Sequence, residues 1–151
     1  MTRTDSGEAL ATVALDTSAL MMPVELDVRL FDELDRLLGG IPPVTETGDR
    51  DAADTLELTT PQPVLEELRR LSEKGGEEGT AASVGHDLAT DRCLVVDTDA
   101  SYADDALVEL ARAGIVDYVV TNDLALRDRV LEASIPVIAL RGRNKLAITQ
   151  P

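Results

Sequence analysis

Four acidic residues stand where an α/β chain would leave a strand or begin a helix. They are Asp16 in VALDTS, Glu67 in PVLEEL, Asp105 in YADDAL and Asp123 in VVTND. Mg²⁺ and Mn²⁺ take oxygen ligands and keep several waters, so a protein that holds such an ion against a phosphate supplies a few carboxylates from different elements. The four positions therefore predict a divalent-metal site suited to phosphodiester chemistry.

Two of these positions belong to pairs of adjacent acids, Glu66 with Glu67 and Asp104 with Asp105. Neighbouring residues on a helix point about 100° apart, so only one member of each pair can face a shared site. The pattern leaves both choices open. A purely structural interpretation also exists, because an acid after a strand can cap the next helix and an acid in the first helical turn can complement the helix dipole.

The apolar pattern predicts strands and helices that alternate along the chain. The predicted strands cover residues 11–15, 55–60, 93–97, 117–121 and, as the last strand, 136–140. The predicted helices cover residues 25–38, 61–74, 80–90, 101–114 and 122–134. Strands separated by helices of this length imply right-handed crossovers, and hence an α/β three-layer sandwich with a central parallel sheet. Ligands of such sheets bind outside the carboxyl ends of the strands, where the four acids can meet.

Length and charge describe a small acidic protein. With 151 residues, 44% of them apolar, the chain is expected to form a single domain over residues 11–151, with a flexible segment at 1–10 and a mobile acidic loop near 41–54. The net charge is -15 and only Lys74 and Lys145 are lysines. This composition suits a salt-rich cytoplasm, where the Debye length falls to about 3 Å in 1 M salt. The hypothesis is a halophilic, cytoplasmic protein without a membrane segment or secretory signal.

Several other chemistries lack the residues that they require. Cys93 is the single cysteine, which excludes an intramolecular disulfide and a cysteine zinc cluster. His86 is the single histidine and has no identifiable partner, so a serine or cysteine triad has little support. A phosphotransfer receiver would need an acidic neighbour beside Asp16, and none is present.

The chain resembles the PIN domain family of metal-dependent ribonucleases from about Val13 to Ile148. The stretches that carry the resemblance are LDTSALMMP, TPQPVLEELRRL, SYADDALVELA, YVVTNDLALRDRV and IPVIALRGRNKL. The order and placement of the acids make the match specific. The segments DTSALMMP and SYADDAL make it more similar to the archaeal branch related to small-subunit ribosomal RNA processing nucleases than to short toxin-type domains.

The resemblance implies a role for each acid. It selects Glu67 over Glu66 and Asp105 over Asp104. The implied catalytic residues are Asp16, Glu67, Asp105 and Asp123. One or two Mg²⁺ or Mn²⁺ ions would be held by Asp16, Asp105 and Asp123, with Glu67 positioning a metal-bound water. The implied supporting residues are Thr17, Ser18, Thr121 and Asn122.

The implied activity is hydrolysis of RNA phosphodiester bonds by an endoribonuclease acting in rRNA processing. A toxin of a toxin–antitoxin pair and a non-cleaving scaffold that binds RNA or protein are the alternatives. The expected partners are RNA, a second copy of the chain, and a pre-ribosome or an antitoxin. Because net negative charge repels RNA, binding should depend on local cations. The candidate substrate-binding residues are Tyr102, Arg127, Arg141 and Arg143.

Overall fold

The computed structural model describes residues 11–39 and 56–151. The expected flexible segment at 1–10 and the expected acidic loop near 41–54 lie outside the described residues.

A six-stranded sheet with the strand order β3-β2-β1-β4-β5-β6 forms the centre of the molecule. Its strands are β1 Ala11–Leu15, β2 Leu56–Pro61, β3 Leu94–Val96, β4 Tyr118–Val120, β5 Val137–Arg141 and β6 Lys145–Thr149. The pairings among β1 to β5 are parallel, and β6 runs antiparallel to β5. The predicted α/β sandwich with a central, mostly parallel sheet is therefore confirmed.

Six α-helices flank this sheet in the described residues. They are α1 Thr17–Glu25, α2 Leu30–Leu34, α3 Gln62–Ser72, α4 Gly76–Arg92, α5 Ala103–Ala113 and α6 Leu124–Glu132, and a π-helical turn at Asp35–Gly39 follows α2. Among them, none combines the length and the apolar character needed to cross a membrane.

The segment after β1 differs from its prediction. Helix α1 begins directly after Asp16, whereas the pattern predicted a helix only from residue 25 to 38. Pro23 inside α1 disguised this helix, because proline is a poor residue for a helix interior. The predicted helix is itself interrupted, since Asp27 has a φ of 54°, in the left-handed region. Two short helical pieces replace one long helix.

The final strand β6 was also missing from the prediction, which ended the sheet at residue 140. A hairpin joins β5 to β6, with Arg141 opposite Lys145 across a three-residue turn. Gly142 in that turn has a φ of 72°, a conformation that glycine adopts without steric cost. The glycine between two apolar runs was the available sign of a hairpin.

Strand β1 lies at the point where the strand order reverses. All five of its residues are buried, with β2 on one side and β4 on the other. The chain leaves β1 toward β2 and later leaves β4 toward β5. In open parallel sheets the crevice at such a reversal is the usual ligand site. The residues that follow β1 and β4 therefore face the same crevice.

Candidate active site

Asp16 is a buried carboxylate at the N-terminus of α1, with only 4% of its surface exposed. Its Oδ1 accepts hydrogen bonds from the Ser18 hydroxyl at 2.8 Å and from the Ala19 amide at 2.7 Å, and its Oδ2 accepts the Thr121 hydroxyl. Burial raises the pKa of Asp16 from 3.8 to about 6, although the three donors oppose that rise. The protein thus holds a carboxylate where ionisation is costly.

A hydrogen-bond network joins the segment after β4 to Asp16. The Asn122 amide donates to the Ser18 hydroxyl at 3.0 Å, and the Asp123 amide donates to the Thr121 hydroxyl at 3.0 Å. The Asn122 side chain accepts the Leu140 amide of β5 at 2.8 Å. Three of the four expected supporting residues therefore belong to one network around Asp16, which fixes β1, β4 and β5 relative to one another.

Glu67 reaches the same crevice from α3. The Thr17 hydroxyl, at the start of α1, donates to Glu67 Oε1 at 2.5 Å. Glu67 is half-buried and lies on the helix face of Val64 and Leu68, which are fully buried, whereas Glu66 is exposed. The contacts therefore favour Glu67, the member of the pair that the resemblance selects.

At the start of α5 the charge couplings favour Asp104, whereas the resemblance selects Asp105. Asp105 forms an ion pair with Arg129 of α6 at 3.0 Å. The pKa of Asp104 is raised by burial and then by the negative charges of Asp123 and Glu67, while Arg129 opposes the rise. Asp104 is also among the causes that raise the pKa of Asp16. These couplings favour Asp104 over Asp105 as the acid of α5 that interacts with the charges of the other three acids.

Helix periodicity explains this difference and was available in the sequence. Leu107, Val108 and Ala111 are buried and lie three, four and seven residues after Asp104, so they share its face of α5. The corresponding positions after Asp105 are the buried Val108 and the polar Glu109 and Arg112. The apolar stripe thus leads back to Asp104, and the pairing of Arg129 with its neighbour was not foreseen.

The sequence allowed Asp123 to be a helix cap or a site carboxylate, and the structure is consistent with both. Its Oδ1 accepts the Leu126 amide at 3.1 Å, so it caps α6. Its charge also raises the pKa of Asp104. We use the name carboxylate cluster for Asp16, Glu67, Asp104 and Asp123.

The carboxylate cluster has the donor chemistry of a hard-cation site. It offers only oxygen ligands, and a bound cation would offset the negative charges that raise the pKa of Asp16 and Asp104. Within the described ranges, no three acidic, histidine or cysteine side chains converge tightly enough to bind one metal ion together. These residues fit a cation such as Mg²⁺ that is held by one or two carboxylates and keeps several waters.

The four expected substrate-binding residues lie at the start of α5, on α6 and in the β5–β6 hairpin. Tyr102 caps α5 two residues before Asp104 and is 73% exposed. Arg127 lies on α6 and pairs with Asp128 at 3.3 Å. Arg141 and Arg143 are exposed in the β5–β6 hairpin. Since the parallel strand β5 ends at Arg141, the hairpin lies at the same sheet edge as the carboxylate cluster.

One protein family matches most of the chain. The family model described as "PIN like domain" matches residues 13–143. Ribonuclease VapC4 of Methanocaldococcus jannaschii is 32% identical over 95 residues, which cover 61% of this chain and 72% of that protein.

Two solved structures share the fold. The PIN domain endonuclease Utp24 superposes with a TM-score of 0.68 at 20% identity, over 93% of this chain and 92% of that one. A domain of a functionally unknown protein from Methanocaldococcus jannaschii superposes with a TM-score of 0.56 at 14% identity, over 89% of this chain and 94% of that one. At these identities the likeness shows the fold.

Proposed function

The chain belongs to the PIN-like domain family, and from that premise we propose that it is a metal-dependent endoribonuclease that hydrolyses RNA phosphodiester bonds at the carboxylate cluster. The observation that carries the proposal is the buried Asp16 at the strand-order reversal between β1 and β4, together with the charge couplings that link Asp104 to Asp16, Glu67 and Asp123. The similarity to a ribonuclease, VapC4, supports RNA as the substrate.

Each residue of the cluster receives a role in this proposal. One or two of the carboxylates of Asp16, Asp104 and Asp123 would hold Mg²⁺ or Mn²⁺, and Glu67 would hold a water through its second carboxylate oxygen. When bound, the metal would make a water more acidic and offset charge on the leaving oxygen. The Ser18 and Thr121 hydroxyls hold both oxygens of Asp16 in one orientation. Thr17 holds Glu67 in the same way.

Exposed apolar side chains beside the cluster support binding of an unpaired base. Tyr102 is 73% exposed and Leu124, which follows Asp123, is 64% exposed. Aromatic side chains stack on RNA bases irrespective of sequence. In this proposal Tyr102 stacks on a base next to the scissile phosphate, and Arg129 keeps a positive charge close to that phosphate.

Two biological roles fit such an activity. We propose rRNA processing, from the resemblance of DTSALMMP and SYADDAL to processing nucleases, with a pre-ribosomal particle as partner. The alternative is a toxin with an antitoxin partner. Expression in a bacterial host separates the two roles. Growth arrest that a neighbouring small gene relieves supports the toxin, whereas accumulation of an rRNA precursor after deletion of the native gene supports processing.

A non-cleaving scaffold is the alternative of a different class. It gains nothing from the negative charges that raise the pKa of Asp104 and of the buried Asp16, because such charges cost stability unless a cation offsets them. Retention of all four acids supports the enzyme.

The metal requirement tests the proposed function. A labelled structured RNA is incubated with the purified protein in high salt, with EDTA, Mg²⁺ or Mn²⁺, beside a DNA of the same sequence. Internal cleavage of the RNA that needs the divalent ion supports the proposal. Cleavage that persists in EDTA, or no cleavage of several RNAs, would contradict it.

A further inference from the structure

We propose that a groove between the π-helical turn and the β5–β6 hairpin binds the phosphate backbone of the RNA strand that flanks the cleavage site. We call it the basic groove. Its cations are Arg36, Arg141 and Lys145, and its apolar wall is Leu37, Ala147 and Ile148. The inference rests on the proposed function, since it assigns a further contact to the same substrate.

The basic groove has the size and composition of a nucleotide site. Its cavity volume is about 530 Å³, within the range of roughly 300 to 1,000 Å³ that is usual for small-ligand pockets. No acidic side chain is among the described residues that line it. Cations beside an apolar wall suit a nucleotide, whose phosphate is anionic and whose base has an apolar face.

Glu33 holds Arg36 of the basic groove against strand β6. Its carboxylate accepts Arg36 at 2.7 Å and the Leu146 amide of β6 at 2.9 Å, while Arg36 donates to the Leu146 carbonyl oxygen at 2.8 Å. Bonding to Arg36 lowers the pKa of Glu33 to about 2, so the carboxylate stays ionised. The pair thus occupies the outer edge of β6 and orients the Arg36 guanidinium.

Local charge distinguishes this surface from the rest of the molecule. The chain has 29 acidic residues against 14 lysines and arginines. Arg141 has no ion-pair partner in the part of the chain that the structure describes. Arg36 and Lys145 share Glu33, with Lys145 3.9 Å from it. In the described residues the groove thus has three cations, and two of them share one carboxylate, which leaves a local excess of positive charge that suits a polyanion.

The position of the groove identifies the polyanion as the substrate strand. Asn122, next to Asp123, accepts the Leu140 amide, and Arg141 follows directly. Strand β6 lies two strand spacings from β4, about 10 Å. A strand of RNA that crosses the carboxylate cluster can therefore place phosphates on Arg141 and then on Lys145 and Arg36.

Equilibrium binding tests the groove separately from cleavage. The probe is a fluorescein-labelled single-stranded RNA, and its anisotropy is followed in Mg²⁺ at several KCl concentrations with the full chain carrying Asp16→Asn to prevent cleavage. The groove variant adds Arg141→Ala and Lys145→Ala. The control variant instead adds Arg70→Ala and Arg112→Ala, in the last turns of α3 and α5. Both variants lose two positive charges, so net charge is matched.

The groove variant is expected to bind at least about tenfold more weakly at low salt. Its slope of log affinity against log salt should fall by roughly 1.4, since each phosphate contact with a single strand contributes about 0.7. The control variant should stay close to the parent. Because Arg141 is exposed and has no ion-pair partner among the described residues, Arg141→Ala by itself checks that a loss is not caused by misfolding, and Arg141→Lys should restore binding.

Two results would overturn the inference. Equal affinities and slopes for the groove and control variants would show that the groove does not contact RNA. Tighter binding of a polyglutamate peptide than of the RNA to the parent would replace RNA by an acidic protein partner. Neither result depends on whether the wild-type protein cleaves RNA, which the metal-dependent assay decides.

Discussion

Asp16 has the most costly environment of the residues in the cluster, because it is buried and the charge of Asp104 adds to the cost of its ionisation. Serine and threonine hydroxyls and one amide hold it, with no cation among its described hydrogen-bond partners. A residue kept ionised at such cost is typical of a functional site.

The pH dependence of stability measures this cost. A carboxyl group whose pKa is higher in the folded chain stabilises the fold when protonated. Its stabilisation is complete below pH about 4 and is lost as the pH rises through about 6. We expect the free energy of unfolding in EDTA to fall over this window by about 3 kcal/mol more for the wild type than for Asp16→Asn. Urea titrations at several pH values measure the difference, and a pH-independent difference would contradict the burial of an ionised Asp16.

The neighbouring aspartates of α5 allow a matched comparison. Asp104→Asn removes a charge from the carboxylate cluster and should lower the cleavage rate at least about tenfold, equivalent to about 1.4 kcal/mol of transition-state stabilisation. Asp105→Asn removes an ion pair with Arg129 in which both side chains are about half exposed, worth about 0 to 1 kcal/mol of stability, and should change the rate much less. Single-turnover cleavage measures both. The reverse order would restore Asp105 as the site residue.

The site residues were predictable where the local sequence pattern indicates which way a side chain points. Asp16 and Asp123 follow apolar strands, so the sequence indicated their edge of the sheet. Glu67 shares a helix stripe with buried apolar residues, and the same test applied to α5 selects Asp104. The ion pair of Arg129 was not predictable, because it joins two helices whose relative rotation only the packed structure defines.

At the scale of elements, the position of α1 determines where Thr17 and Ser18 lie. Helix α4 packs closely against α1 at Gly85, where an added Cβ would lie 2.8 Å from the Leu20 carbonyl oxygen. Backbone atoms at this distance cannot yield without movement of a helix. The absence of a side chain at Gly85 is thus a condition for the observed position of α1.

Gly85→Ala is therefore expected to destabilise the fold by about 1 to 3 kcal/mol, because it overpacks the contact between the two helices. Displacement of α1 should also weaken the contacts of Thr17 and Ser18 and reduce cleavage. Gly75→Ala adds the same methyl group where no atom lies within 4 Å, and serves as the control. Thermal and urea unfolding measure both variants. Equal stabilities would show that α1 and α4 are less tightly packed than the structure indicates.

Two elements, α1 and β6, were missed because their local sequence is not typical of a helix or a strand. Pro23 concealed α1, and the short run LAIT after a charged turn concealed β6. Neither error moved the predicted site, because Asp16 and Asp123 are placed by β1 and β4, whose apolar runs are unambiguous.

At the scale of the molecule, the net negative charge of the chain opposes RNA binding. A net charge of -15 gives most of the surface the wrong sign for RNA. The carboxylate cluster needs cations, and the basic groove and Arg129 supply positive charge near it. High salt would screen the remaining surface while leaving short contacts in the crevice effective.

The same charge predicts a salt-dependent stability. Self-repulsion among the acids should lower the melting temperature in dilute buffer, and molar KCl should raise it by several degrees, at about 2 to 4 °C for each kcal/mol in a chain of this size. Differential scanning calorimetry across KCl concentrations measures the change, with sucrose as a control for effects unrelated to charge. A melting temperature that does not change with KCl would remove the halophilic interpretation.

The alternation of strands and helices in the sequence was sufficient to predict the overall architecture. The sequence could not specify the strand order, which reverses between β1 and β4, where the candidate site lies. The expected homodimer stays a prediction, which light scattering of the purified chain would decide.

We propose that Asp16 anchors the active site of a metal-dependent endoribonuclease. The most direct test of this proposal is cleavage of a labelled structured RNA with Mn²⁺ in high salt by the wild type and by Asp16→Asn, both shown to be folded. We predict cleavage by the wild type and a loss of at least about a hundredfold in the variant, the size of effect expected when a preorganised electrostatic contact is removed. Equal cleavage by both proteins would contradict the claim.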